Sequence, residues 1–155
     1  MSATMTTGEL AQLNAAAGWS VFPCLAVDEP ADGDTPPRKA KAPYVDWKLA
    51  TTEPDRIDKW WRIFPSALVG VALPEGVTVI DLDRHDGRDG IALAAGNGWP
   101  VEAEVQGTST DGAGRHLWYA GQSRNAPVAT GYVDRKTVGG YVVTPQQLAA
   151  YTNAL

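Results

Sequence analysis

Residues 77–83 read Val-Thr-Val-Ile-Asp-Leu-Asp, an apolar run that ends in two acids. The run predicts a buried strand. Alternate residues of a strand face the same side, so Asp81 and Asp83 are expected on one face, about 6–7 Å apart. Carboxylates this close raise each other's pKa unless a cation compensates, and a pair of divalent metal ions about 3.5–4 Å apart would do so. A strand that simply ends in solvent explains the two acids equally well.

The sequence on either side of this strand predicts a mixture of helices and short strands. Helices are expected over residues 8–17, capped by Thr6 or Thr7, over 54–64, with Thr52 and Asp55 as a capping box, and over 90–95. The tail, 146–155, also looks helical. Pro74-Glu75-Gly76 indicates a hairpin between strands at 68–73 and 77–82. Further strands are expected at 19–23, 102–106, 115–120, 132–134 and 138–143, so the fold class is α+β.

Composition narrows the class of protein. With 155 residues, 44% apolar and 20% charged, the chain fits one domain with its own core. No apolar run approaches the roughly 18 residues of a membrane span, so we expect no membrane partner. Cys24 is the single cysteine, which excludes an internal disulfide and favours a reducing, cytoplasmic setting.

The net charge of −5 argues against a protein that coats nucleic acid by bulk electrostatics. Local basic clusters remain possible binding surfaces, although solvated surface charge is the commoner explanation. One cluster follows a turn-rich loop at 28–37, which we expect to be an exposed, mobile arm. The only acid near this basic cluster in the sequence after the loop is expected to be Asp46. The members of the cluster are Arg38, Lys39, Lys41 and Lys48.

Two later segments could join the acids in one site. A small, glycine-bearing turn at 108–114 precedes Arg115 and His116, which point to opposite faces of their strand, so only one can aim directly into a given site. A third acid, Asp134, stands beside Arg135 and Lys136, and Gly-Gly-Tyr-Val-Val follows at 139–143. Taken alone, a structural histidine and a surface aspartate explain these segments.

In order and spacing, the three segments resemble the primase–polymerase (Prim-Pol) domain of the archaeo-eukaryotic primase superfamily. That family ends an apolar strand in Asp-x-Asp or Asp-x-Glu, follows it with a Gly-Gly-x-His turn before an apolar-aromatic strand, and then has a third acid. Here the turn reads Ala-Gly-Arg-His at 113–116, and lysine replaces the family's arginine at 136. The resemblance covers roughly residues 15–145.

The resemblance implies a fold and an activity. The fold would be an RRM-like antiparallel or mixed sheet with an N-terminal α/β unit, in a catalytic domain at 1–145 followed by a tail at 146–155 leading into a further segment. The activity would be template-directed nucleotidyl transfer, as DNA primase or polymerase, in a phage- or plasmid-type replication protein. Its partners would be a DNA template and primer, NTP or dNTP, and a helicase, in the cytoplasm of a bacterium or infected host.

The resemblance also assigns site residues. Mg²⁺ or Mn²⁺ would be held by Asp81, Asp83 and Asp134, which with His116 form the catalytic set. Incoming nucleotide would be bound by Gly114, Arg115, His116 and Lys136, and template or primer phosphate by Lys39, Lys41 and Lys48.

Two other functions remain open. A haloacid-dehalogenase-like phosphatase also begins with an apolar strand and Asp-x-Asp, and would use Asp81 as its nucleophile. That family expects Thr or Val where this chain has His85, and places the motif near the N-terminus. The second alternative is a nucleotide- or single-strand-binding module without catalysis.

Overall fold

The computed structural model describes residues 3–85, 87–99, 105–107, 114–121, 125–129 and 133–149. Several predicted features lie outside these ranges in whole or part: the turn at 108–113, the start of the strand at 102–106, Tyr132 at the start of the strand at 132–134, and the end of the tail. The described residues form three α-helices and ten short strands, which confirms the α+β class. The chain divides into two compact units, Met1–Ala72 with Gln147–Tyr151, and Leu73–Gln146 with Thr152–Leu155.

The first unit packs two helices beside a strand pair. Helix α1 (Thr7–Ala16) begins with a complete capping box, in which the Thr6 hydroxyl accepts from Glu9 N and the Glu9 carboxylate accepts from Thr6 N. Strands β1 (Val21–Cys24) and β2 (Leu68–Ala72) pair antiparallel. Helix α2 (Pro54–Ile63) buries the predicted apolar stripe, Ile57, Trp60 and Trp61.

The start of α2 differs from the prediction. The N-cap is Glu53, with no side-chain cap hydrogen bond, and Pro54 occupies the first turn. Thr51, rather than Thr52, accepts from the Glu53 N–H, at 3.1 Å. The predicted Thr52–Asp55 capping box is therefore wrong, because Thr51 already turns the chain and proline supplies a first helical residue that needs no N–H partner.

The predicted hairpin is also wrong. Strand β3 (Val77–Leu82) forms as expected, but it pairs with β7 (Arg115–Ala120) and β9 (Val133–Lys136), whereas β2 pairs with β1. Gly76 has φ +84°, so the turn is real, but its carbonyl accepts from Gly121 N at 2.8 Å and Leu73 N donates to Gly140 O at 3.0 Å. These hydrogen bonds connect the turn to segments that are distant in the sequence.

The second unit is built on a five-stranded antiparallel sheet in the order β6-β7-β3-β9-β8, with β6 at Val105–Gly107 and β8 at Ala126–Ala129. Strands β4 (Arg84–His85) and β5 (Arg88–Asp89) form a small ribbon ahead of α3 (Gly90–Gly96). Leu82, Ala94, Leu117 and Val133 form a buried cluster, so α3 covers one face of the sheet. The other face carries the polar row described below.

The loop at 28–37 is part of a paired ribbon. Glu29 and Arg38 exchange two backbone hydrogen bonds, of 2.8 and 2.9 Å, and Asp32 and Thr35 exchange two more nearer the tip. Arg38 lies over the Tyr44 ring at 5.3 Å, and Tyr44 stacks on Phe64 with centroids 4.1 Å apart. The base of the arm is thus joined to the body of its unit.

The end of the chain departs from the predicted secondary structure. Strand β10 covers Tyr141–Thr144, and the expected strand residues 138–140 instead form a turn. The described part of the tail, 146–149, is not helical. It is held in the first unit, where Leu148 N donates to Asn14 Oδ1 and Trp19 Nε1 donates to Ala149 O, both at 2.8 Å. No helix in the described ranges is long and apolar enough to cross a membrane.

Candidate active site

Three of the predicted catalytic residues lie in one row across the centre of the sheet. Asp81 on β3 is directly opposite His116 on β7 and directly opposite Asp134 on β9. Directly opposed residues share a face, with Cβ atoms about 4.5–5.5 Å apart. Antiparallel pairing therefore brings together residues that are separated by as many as 53 positions in the sequence.

The Asp81 carboxylate lies between two nitrogen-bearing side chains. His116 Nε2 is 3.4 Å from Oδ1, and Lys136 Nζ is 3.4 Å from Oδ2. Asp81 is 13% exposed, His116 3% and Lys136 33%. The histidine contact has the length of an ion pair but not the geometry of a hydrogen bond. Asp81 Oδ1 and His116 Nδ1 are both buried and make no hydrogen bond within the described parts of the chain.

Opposing effects set the pKa of Asp81. Burial is the largest single influence and raises it, but contacts with His116 and then Lys136 outweigh burial, so the pKa lies below its usual value. We expected acids at this strand end to raise each other's pKa unless a cation compensated. The compensation comes from the chain's own side chains.

The opposite face of the sheet carries the neighbouring arginines. Arg115 pairs with Leu82, and Arg135 with Ile80. Both partners belong to the apolar cluster under α3. Arg115 and His116 therefore face opposite sides, as strand alternation requires, and only His116 shares the face of Asp81. Gly114, immediately before β7, is buried, and its carbonyl accepts from Arg115 Nη1 at 2.8 Å.

Asp83 lies one residue beyond β3 and is half-buried. Its backbone carbonyl accepts from Gly90 N at 2.8 Å, which ties the strand end to the first residue of α3. Within the described ranges, no three Asp, Glu, His or Cys side chains converge as a metal-holding group. The donor chemistry of the row nevertheless suits Mg²⁺ or Mn²⁺, which prefer carboxylate oxygens, and Asp81 Oδ1 is a buried carboxylate oxygen without a hydrogen-bond donor in that part of the structure.

The basic cluster on the arm is accompanied by more acids than expected. Arg38 Nη2 lies 2.6 Å from Glu29 Oε2, and Lys39 Nζ lies 3.5 Å from Asp28 Oδ2. The expectation that Asp46 alone opposes the cluster is therefore wrong, because the ribbon places 28–29 beside 38–39. Lys41 is exposed and has φ 72°, where the chain turns back toward Leu25. Lys48 is exposed in a single 3₁₀ turn capped by Asp46.

Two features of the site were not predicted from the sequence. One is the direct contact of Lys136 with Asp81, and the other is Trp118, whose ring meets His116 edge-on with centroids 6.4 Å apart. Trp118 and Lys136 each stand two positions after a row residue. The same period-2 alternation that placed Asp83 beside Asp81 could have indicated both.

Comparison with known proteins found one family match. The family model described as bifunctional DNA primase/polymerase, N-terminal, matches residues 11–154 of the 155. No curated protein compared with the chain matches it at a significant level. The match spans both units and every member of the polar row, and on this basis the chain belongs to the Prim-Pol family.

Proposed function

We propose that this chain catalyses template-directed nucleotidyl transfer, adding NTP or dNTP to a primer annealed to a DNA template. The observation that carries the proposal is the row of Asp134, Asp81 and His116 on adjacent strands, with Lys136 against Asp81. Membership in the Prim-Pol family supports the reaction type. The proposed setting is a phage- or plasmid-type replication protein that works with a helicase in the bacterial or infected-host cytoplasm.

The acids are proposed as the metal-holding residues. Asp81 and Asp134, with Asp83 at the strand end, would hold Mg²⁺ or Mn²⁺ through carboxylate oxygens. When bound, the metal supplies Lewis-acid activation of the primer 3′-hydroxyl and neutralises triphosphate charge. The chain's own contribution is orientation: Asp81 and Asp134 lie on central strands of the sheet, which hold catalytic groups more precisely than loops do.

The nitrogen-bearing side chains of the row are proposed to bind the incoming triphosphate. His116 and Lys136 share the face of the acids and can donate to phosphate oxygens. Arg115 is proposed to assist them from the α3 face of its strand, because it pairs with Leu82 and does not share the face of the row. Gly114 lies where the chain enters β7 and would let backbone approach the phosphates closely.

Extension of a labelled primer on a longer template tests the proposal, with Mn²⁺ or Mg²⁺ and each nucleotide set supplied separately. The wild-type chain should extend the primer and release pyrophosphate, and Asp81→Asn and Asp134→Asn should each lose at least about 100-fold in rate, the scale of losing preorganised electrostatic stabilisation. The matched control is Asp58→Asn, an exposed aspartate on α2 paired with Arg62. Equal losses in all three variants would contradict the proposal.

The same assay separates the alternatives. A phosphatase acting through Asp81 would release inorganic phosphate from small phosphate esters and leave the primer unextended. A binding module would retain affinity for nucleotide or single strands without product. Either result with wild-type protein would overturn the nucleotidyl-transfer proposal.

A further inference from the structure

Lys136 contacts Asp81 in a way that allows exchange. Its backbone is fixed by pairing with Val79 on β3, two residues before Asp81, so the side chain crosses diagonally to place Nζ 3.4 Å from Oδ2. A third of the lysine side chain is exposed, whereas Asp81 is almost buried. The ammonium group can therefore leave the carboxylate through a change of rotamer, with the strands unmoved.

The buried Asp81 carboxylate is more stable with a positive partner than without one. A buried ionised carboxylate is costly unless a cation or hydrogen-bond donors compensate it, and the Lys136 ammonium lies 3.4 Å from Asp81 Oδ2. A divalent cation bound through the same oxygens would take over that compensation. Two cations at one carboxylate repel each other, so a metal ion at Asp81 and the ammonium group of Lys136 compete for this carboxylate.

We propose that Lys136 is the exchangeable counter-ion of Asp81: it neutralises the carboxylate until a divalent cation binds, and is thereby released to the incoming triphosphate. The inference rests on the proposed function and deepens it. Under this proposal, a bound metal ion displaces Lys136 from Asp81, and the displaced lysine binds the triphosphate. Metal binding therefore promotes nucleotide binding through Lys136 as well as through the metal itself.

Direct Mn²⁺ binding, followed by the electron paramagnetic resonance of the free ion, tests the exchange in the absence of nucleotide. Lys136→Met should bind Mn²⁺ about three- to fivefold more tightly than wild type, the upper end of the scale of one charge contact near the surface. Lys136→Arg should stay within about twofold of wild type because it retains the competing charge. If Lys136→Met does not fold, Lys136→Gln replaces it.

The matched control is Arg135→Met. It removes a positive charge from the adjacent position of β9, on the opposite face and away from Asp81. Competition at Asp81 predicts little change in Mn²⁺ affinity for this variant. Tightening equal to that of Lys136→Met would reflect general electrostatics and overturn the proposal.

Two further measurements complete the test. The Lys136→Met melting temperature should be lower than wild type without metal and should rise more on Mn²⁺ addition, because the metal then replaces the missing counter-ion. Its nucleotide affinity at saturating Mn²⁺ should fall. Unchanged Mn²⁺ affinity in Lys136→Met, with a wild type that binds Mn²⁺ and extends primers, overturns this inference alone. Absence of both Mn²⁺ binding and extension in wild type overturns it together with the proposed function.

Discussion

His116 stands directly opposite Asp81 across the β3/β7 pair, with its Nε2 3.4 Å from Asp81 Oδ1. The histidine is almost completely buried, and Trp118 meets its ring edge-on. A residue held by two neighbours on central strands keeps its orientation without help from loops. His116 therefore makes a structural contact and, in the function proposed above, also binds phosphate, and experiment can separate the two contributions.

Replacing His116 distinguishes its two roles. We expect His116→Gln to keep the packing but to raise the KM for nucleotide about tenfold or more, because a charge-assisted donor to phosphate is worth about 1.5–3 kcal/mol. The KM for primer–template should change little. His116→Ala should lose about 1–3 kcal/mol of unfolding free energy in addition, since truncation leaves a cavity. Steady-state kinetics and urea unfolding measure these effects, and an unchanged nucleotide KM in folded His116→Gln would leave only the structural role.

The lowered pKa of Asp81 predicts a particular response to acid. A carboxyl group with a lower pKa in the folded protein stabilises the fold above its unfolded pKa, and this stabilisation is lost as pH falls through the folded pKa. Asp81→Asn should thus cost about 1–3 kcal/mol at neutral pH, and the difference from wild type should shrink below about pH 4. Urea unfolding of both proteins, from pH 7 down to the lowest pH at which wild type still folds, measures this difference in unfolding free energy.

The control for this pH series is Asp58→Asn. Asp58 Oδ2 lies 2.6 Å from Arg62 Nη2, but both side chains are more than half exposed. Surface pairs of this kind contribute about 0–1 kcal/mol, so the control should stay close to wild type at neutral pH. A neutral-pH cost for Asp81→Asn no greater than that of Asp58→Asn would contradict the stabilising role of the buried contacts.

Local patterning could predict much of the site. The period of two along a strand correctly separated Arg115 from His116, and the apolar run at 77–82 is the central strand of its sheet. The helix stripe of Ile57, Trp60 and Trp61 is buried as its spacing indicated. These features depend on residues that are only a few positions apart, so a short stretch of sequence is enough to predict them.

Long-range pairing could not be predicted in the same way. The turn at Pro74–Gly76 is local and correct, but the partners of the strands it joins lie 33–57 positions away in the sequence, beyond the range of any turn rule. The same reason explains why the contacts of Asp81 with His116 and Lys136, 35 and 55 positions away in the sequence, were not predicted. A charged residue's partners are set by which strands pair, and no one-dimensional count of nearby charges contains that information.

The packing of Gly70 gives a stability prediction for the first unit. A Cβ at Gly70 would lie 2.5 Å from Phe22 Cζ and 2.8 Å from Cys24 Sγ, and both neighbours are fully buried. Gly70→Ala should therefore cost about 1–3 kcal/mol of unfolding free energy, as overpacking of a core does. At Gly96, in the last position of α3, a Cβ meets nothing within 4 Å, so Gly96→Ala should be neutral or slightly stabilising. Equal effects in urea unfolding would contradict the packing argument.

The basic arm yields the final prediction, on nucleic-acid binding. Lys39 pairs with Asp28, but both side chains are largely exposed, so the pair contributes little and Lys39 can exchange the carboxylate for a phosphate. Each phosphate contact on a single strand contributes a slope of about −0.7 to log K against log salt. Neutralising Lys39 and Lys41 together should flatten the slope by about 0.7–1.4. The loss of affinity should be similar for every template sequence, because phosphate contacts carry no base information.

Fluorescence anisotropy across a salt series measures this slope for nucleic-acid binding, with Lys59→Ala on α2 as the exposed-lysine control. An unaltered slope in the double variant would place the DNA path away from the arm.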